Sequence, residues 1–335
     1  MLSAKLSKMP QDAAADTIQE AVECLKKGDL VAFPTETVYG LGADAANARA
    51  LEKLYKVKGR PAAHPVIVHI ASQEQLHNWA KHVPEAAIKL ADAFWPGPLT
   101  LILERAPHVL DAVTGGQDTV GLRIPGHPIA LNLLRQFQGG VAAPSANRFG
   151  RLSPTTADDV RKEFAGEVSA VLDGGPCAVG IESTIIDLTA ERPRILRPGM
   201  ILKEQIEGVL KERVYDSLGI SPGSVTRAPG SLKSHYAPKT PLQVLEFAEL
   251  VSLVQDAIAS SEKRYVVLSF RQYPGAHCPI PWVVLEGNAV ECARHLYANL
   301  RKMDTLSADC ILFEKPPASS EWTGINDRLA RACAK

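Results

Sequence analysis

The chain has 335 residues, with 37 Lys and Arg against 37 Asp and Glu, so its formal net charge is zero. That balance argues against a protein that binds nucleic acid chiefly through charge, because such affinity comes from neutralising phosphates with a cationic face. With 46% apolar and 22% charged residues, the chain is globular and neither disordered nor collagen-like, and it is long enough for about two domains.

In chain order, Asp16 is placed to cap a helix over TIQEAVECLKK, with Gly28 to end it. The run LVAFP (30–34) predicts a strand, followed by a loop and a helix over ARALEKLYKV (48–57). Further strands are predicted at VIVHI (66–70), LTLILE (99–104), TVGLRIP (119–125), GVAAP (140–144), SAVLD (169–173) and STIIDL (183–188). Helical spacing fits EQLHNWA, PEAAIKLADAF, PIALNLLRQF, TADDVRKEF and KEQIEGVLKE. Strands and helices mixed on this scale predict an α/β domain around a twisted mixed sheet.

Residues 214–240 are rich in Pro and Gly and show no period, which reads as a tether or a functional loop. Beyond them a second pattern begins: LQVLEF, a helix near AELVSLVQDAIAS, RYVVLSF, WVVLEG, a helix near AVECARHLYANLRKM, ADCILFEK and a last helix near GINDRLARACA. It predicts a small C-terminal α/β domain of Rossmann-like character with mainly parallel strands. The division is therefore 1–212, a linker at 213–240, and 241–335.

No apolar run reaches the ~20 residues that cross a bilayer, and the opening MLSAKLSKMPQDAAAD lacks the apolar core of a secretory signal. Six scattered Cys form no CxxC pair, which predicts reduced thiols, no zinc site and a cytoplasmic protein away from membranes.

Five clusters in the first domain carry more polar chemistry than packing needs. Pro34–Gly42 (PTETVYGLG) follows a strand directly, where ligands of α/β sheets sit, although Thr hydroxyls also close turns. Lys58-Gly59-Arg60-Pro61, with His64 and the strand end at His69, pairs a compact cation with a planar fork, a set suited to phosphate or carboxylate. Alternation puts Thr119, Gly121 and Arg123 on one strand face. In Ala143-Pro144-Ser145-Ala146-Asn147, small residues let the backbone approach an anion, and Ser153 follows before a helix. Ser183 and Arg197 stand at strand edges beside Gly or Pro. None is a P-loop or a dinucleotide fingerprint. Basic groups and hydroxyls without an acidic metal cluster suit a triphosphate plus a small zwitterion or acid, with charge stabilisation ahead of covalent catalysis.

The motifs PTETVYGLG, Lys58-Gly59-Arg60, HPVIVHI, WPGPLT, DTVGLR, APSAN and GIESTIID resemble the threonylcarbamoyl-adenylate synthases of the YrdC-like family, colinearly over residues 16–210. PGSLKSHYAP (229–238) and the C-terminal domain resemble the longer, two-domain branch. The resemblance implies condensation of L-threonine, bicarbonate or carbon dioxide, and ATP with Mg²⁺ on its triphosphate. The products are threonylcarbamoyl-AMP and pyrophosphate, the first passing to a separate transferase complex that modifies a tRNA adenosine. It implies threonine contacts from Thr37, His69, Arg123 and Ser183, and nucleotide contacts from Lys58, Arg60, His64, Thr119, Ala143, Ser145, Asn147, Ser153, Arg197 and Ser231. Lys58 and Arg60 are the expected catalytic cations, and the linker is the expected lid, with His235 and Tyr236 sealing it. Relatives often have Asn where this chain has His64. The competing expectation is a non-catalytic binder of structured RNA.

Overall fold

A computed structural model describes residues 11–216, 226–230, 235–260 and 263–334. Ten strands form the first sheet: β1 (Val31–Phe33), β2 (Gly40–Asp44), β3 (Ile67–His69), β4 (Leu99–Glu104), β5 (Thr119–Arg123), β6 (Val141–Ala142), β7 (Ala170–Val171), β8 (Thr184–Asp187), β9 (Arg194–Arg197) and β10 (Tyr215–Asp216). Their spatial order is β10-β9-β8-β4-β5-β3-β6-β2-β1-β7. The sheet is mixed: β3 runs parallel to β5 and β4 parallel to β8, whereas β4 and β5, β8 and β9, and β1 and β2 are antiparallel.

Local chemistry accounts for several boundaries. Asn47 caps the helix Ala48–Lys58 by accepting from the backbone N–H groups of Arg49 and Ala50, and Gly59 ends it in the left-handed conformation at φ 62°. Helix Pro128–Phe137 opens with Pro at its first position, where no N–H is needed. The first helix runs Gln11–Lys26, so it passes through Asp16 instead of starting there. EQLHNWA forms a 3₁₀ turn and only one α-turn, Leu76–Trp79. Strand β2 arises where the sequence predicts a loop. GLGAD has no β-branched residue, and it is held extended by β1 on one side and β6 on the other. Strand β10 pairs with β9 from inside the stretch read as structureless, so the first sheet reaches Asp216.

The second sheet has four strands, β11 (Leu242–Leu245), β12 (Tyr265–Ser269), β13 (Trp282–Val284) and β14 (Cys310–Glu314), ordered β11-β14-β12-β13 and all parallel. Helix Phe247–Ser260 covers the face bearing Val267 and Leu312. Helices Ala289–Asp304 and Thr323–Cys333 cover the face of Val266, Ile311 and Phe313. Burial on both faces is why these strands read as continuous apolar runs.

The core around helices Ala289–Asp304 and Thr323–Cys333 also takes in Val38, Leu152, Ile181 and Tyr236, all from outside the second sheet. Gly180 marks the tightest approach. Its φ is +84°, and a Cβ there would lie 2.4 Å from the carbonyl oxygens of both Ala293 and Arg294. Only glycine fits.

Candidate active site

Pro34 to Tyr39 form the turn between β1 and β2. Thr35 Oγ1 donates to the Val38 carbonyl at 2.6 Å and accepts from the N–H groups of Thr37 and Val38. Thr35 thereby closes the turn, and Thr37, fully buried, lies 2.8 Å away hydroxyl to hydroxyl. Thr35 thus takes the turn-closing part of this motif, while Thr37 lines the cavity described below.

His69 and Arg123 end adjacent parallel strands and are direct register partners. This is the carboxyl edge at which α/β sheets hold ligands. Arg123 donates through Nε to the Gly97 carbonyl at 3.1 Å and through Nη2 to Glu36 Oε1 at 2.6 Å. Ser183 precedes β8, with its hydroxyl 2.8 Å from Thr100 Oγ1. Arg197, at the end of β9, donates to the Ser183 carbonyl and, at 3.1 Å, to Ser183 Oγ, while its Nη1 reaches the Pro229 carbonyl at 2.9 Å. Arg60 donates to the Pro65 carbonyl at 2.8 Å, and its Nε has no hydrogen-bond partner among the described residues.

These side chains line one cavity. Thr37, His69, Arg123, Ser183, Arg60, Ala143, Ser145 and Arg197 face it, with Pro229, Gly230, His235 and Tyr236 contributing from the chain beyond the first sheet. About 50 Å³ of it is free, room for a few waters at ~10–15 Å³ each. Three guanidiniums that are at most 8% exposed converge here, and burial pulls the pKa of Arg60 and Arg197 down. His69 is lowered to about 3 by burial and then by the Arg123 charge, and its Nδ1 has no hydrogen-bond partner among the described residues. Burial likewise lowers His235 to about 3. Both imidazoles are neutral at pH 7, so they accept hydrogen bonds without adding charge. The cavity suits anions that bring their own donors.

Several expected contacts sit elsewhere. Lys58 is buried behind the wall, where its ammonium donates to the carbonyls of Ser145 and Asn147, and burial lowers its pKa well below the ordinary value. Its hydrogen bonds hold the loop, and the side chain is not among the residues that line the cavity. Asn147 accepts from Ser145 Oγ at 2.5 Å and donates to the Arg148 and Arg151 carbonyls, again as loop scaffolding. Ser153 donates to Glu182 Oε1 at 2.5 Å. The His64 ring stands edge-on to Phe149 at 5.4 Å, outside the lining residues. Thr119 shares the strand face of Arg123 but lies at the opposite end of β5, lining a separate open hollow with Asp118 and Thr189. Ser231 lies outside the described residues.

A family profile named Sua5_yciO_yrdC, described as Telomere recombination, matches residues 23–199. A second, described as Threonylcarbamoyl-AMP synthase, C-terminal domain, matches 201–334. The threonylcarbamoyl-AMP synthase of Pyrococcus abyssi (strain GE5 / Orsay) is 41% identical over 322 residues, covering 94% of this chain and 93% of its own. That of Bacillus subtilis (strain 168) is 39% identical, covering 94% and 92%. This chain belongs to the threonylcarbamoyl-AMP synthase family. The crystal structure of P. abyssi Sua5 complexed with L-threonine superposes with a TM-score of 0.87 at 40% identity, over 94% of each chain.

In this member of the threonylcarbamoyl-AMP synthase family, three polar residues of the site lie in motifs quoted from the sequence but are given no role there. Thr35 and Glu182 line the cavity, and Glu36 holds Arg123. The first and third lie inside PTET, so their motif was visible although their partners were not. Glu182 lies inside GIESTIID, but its donors Ser153, Tyr297 and Arg328 are distant in sequence and leave no local sign of its role.

Proposed function

We propose that the chain condenses L-threonine, bicarbonate or carbon dioxide, and ATP into threonylcarbamoyl-AMP with release of pyrophosphate. The observation that carries this reading is the convergence of Arg60, Arg123 and Arg197 with the hydroxyls of Thr37 and Ser183 on one cavity. Threonine's carboxylate goes to Arg123, and its hydroxyl and amine to Thr37, Ser183 and neutral His69.

Addition of the neutral amine to carbon dioxide, with one N–H proton lost to water, gives a carbamate anion, whose oxygen attacks the α-phosphorus as pyrophosphate leaves. Arg60 and Arg197 stabilise the phosphate charge in this low-dielectric setting. Mg²⁺ carried on the triphosphate would supply further neutralisation of that charge, beside Arg60 and Arg197. The backbone at Ala143 and Ser145 approaches the nucleotide, while Lys58, Asn147 and Ser153 act from behind, holding loop and wall. A triphosphate does not fit the present free space, so Pro229–Gly230 and His235–Tyr236 move to admit it. Contacts from His64 and Thr119 require the nucleotide to extend beyond the present walls.

We read 1–212 as the catalytic domain, 213–240 as a linker that closes over the site, and 241–335 as the small C-terminal domain. Closure protects carbamate and mixed anhydride from water. The product passes to a separate transferase that modifies a tRNA adenosine. All six cysteines are free thiols, which fits the cytoplasm, and no helix among the described residues is long and apolar enough to cross a membrane. The RNA-binding alternative is not supported, because the three cavity arginines are buried away from any phosphate backbone.

The test is pyrophosphate release from purified protein with ATP, Mg²⁺, bicarbonate and one amino acid at a time. Release that depends on threonine is expected. Release without an amino acid, or equal release with all of them, overturns the reading.

A further inference from the structure

Glu182 is a carboxylate at 6% exposure on the cavity wall, one residue before Ser183. Among the described residues its ion-pair partner comes from the far end of the chain: Arg328, on helix Thr323–Cys333, donates through Nε to Glu182 Oε2 at 2.8 Å. Arg328 is itself 1% exposed. Its Nη2 reaches the Glu182 carbonyl at 3.2 Å and its Nη1 the Pro198 carbonyl at 2.8 Å. Tyr297, on helix Ala289–Asp304, adds a hydrogen bond to Glu182 Oε2 at 3.0 Å.

Those contacts have a definite geometry. Glu182 immediately precedes Ser183 and β8, and Pro198 immediately follows β9, so one guanidinium grips both ends of the β8–β9 hairpin. That hairpin carries Ser183 and Arg197, which bond to each other and face the cavity. The same guanidinium stands over the ring of Tyr236, 5.3 Å from its centroid, and Tyr236 also lines the cavity. Packing alone needs neither a buried Arg nor a buried Glu at this junction, because both charges must be stripped of water.

We propose that Arg328, assisted by Tyr297, is a positioning residue for the reaction, through which the C-terminal domain sets the Ser183–Arg197 hairpin and Tyr236. With Arg328 absent, Glu182 keeps its charge only by turning to another cation. Arg197 is the cavity guanidinium that already interacts electrostatically with it. Such a turn pulls Arg197 off Ser183 and spoils the threonine subsite without unfolding the protein. The inference rests on the proposed function, in that it takes Ser183 as a threonine contact.

Threonine binding is measured by calorimetry, and folding by thermal melting, on the full chain and on Arg328→Met, Arg328→Lys and the double variant Glu182→Gln/Arg328→Met. Arg328→Met is expected to weaken threonine binding at least tenfold at a temperature where it is still folded. Arg328→Lys should recover part of that loss. The double variant should recover most of it, because it removes the stranded carboxylate that misdirects Arg197; a loss of packing alone would not be repaired this way. A folded Arg328→Met with unchanged threonine affinity overturns the proposal, as does a double variant no better than the single one. If Arg328→Met does not fold, the comparison of Arg328→Lys with the double variant decides by the same criterion. If the unaltered protein itself binds no threonine, it is the proposed function that fails.

Discussion

Arg123 and Glu36 are 87 residues apart in sequence and meet at 2.6 Å across the cavity wall, the arginine 4% and the glutamate 13% exposed. Glu36 is fixed in turn by the Gly126 N–H, which it accepts through Oε2 at 2.8 Å. The guanidinium expected to receive threonine's carboxylate is therefore already oriented by a carboxylate of the protein. A preoriented fork loses little freedom when substrate arrives.

Arg123→Ala removes that fork and strands Glu36. Threonine binding is expected to weaken by roughly 2–4 kcal/mol, as for truncation of one member of a buried charge pair. Calorimetric titration with threonine checks it, and an unchanged affinity would refute the carboxylate assignment.

Lys58→Ala removes the ammonium that ties the carbonyls of Ser145 and Asn147. Because this loop borders the cavity on the side assigned to nucleotide, turnover should fall more than threonine affinity does. A loss of up to ~100-fold in kcat is the scale for a reacting group displaced by about 1 Å. Steady-state kinetics alongside threonine calorimetry separates the two; a larger effect on threonine would place Lys58 in the wrong subsite.

Acid should destabilise the fold from near neutrality. His69 and His235 have folded values of about 3 against 6.5 for the free side chain, so an unfolded chain takes up protons that the folded one refuses. Their contribution to stability is full above 6.5 and is lost as pH falls toward 3. Glu182, lowered to about 2 from 4.5 by Arg328, Arg197 and Ser153 against the opposing effect of burial, adds a loss that begins only near 4.5. The decline between pH 6.5 and 5 therefore belongs to the histidines. In thermal melts over that range His69→Gln should show a shallower decline than the parent protein, and parallel curves would contradict the account.

Gly180→Ala should loosen the junction between the two sheets. The residue has φ +84°, its N–H bonds to the Thr37 carbonyl, and its missing Cβ faces two helix carbonyls at 2.4 Å. Backbone strain of this kind costs about 1–3 kcal/mol, to which the clash with Ala293 and Arg294 adds. Urea denaturation should show the loss, and a midpoint within error of the parent would mean that the helix yields freely.

The sequence by itself determined the elements whose signals are local. LTLILE and PIALNLLRQF occupy β4 and helix Pro128–Phe137 to the residue. The C-terminal alternation of strands and helices gave an all-parallel sheet. Side-chain periodicity and capping are short-range properties, so they can be read one stretch at a time. Thr37, His69, Arg123, Ser183 and Arg197, singled out in the sequence through the motifs that carry the family resemblance, all line the one cavity.

Only the tertiary structure decided which groups face the cavity and which hold it up. Lys58 and Arg60 are two residues apart, yet one turns into the wall and the other into the cavity. Thr119 and Arg123 share a strand face, yet the length of β5 separates them. Strand β2 exists because β1 and β6 flank it, and Glu182 stays charged because Arg328 reaches it from the last helix. Pairing of a buried charge or an unfilled strand edge depends on what lies across space, and a separation of 146 positions along the chain leaves no local trace of that meeting.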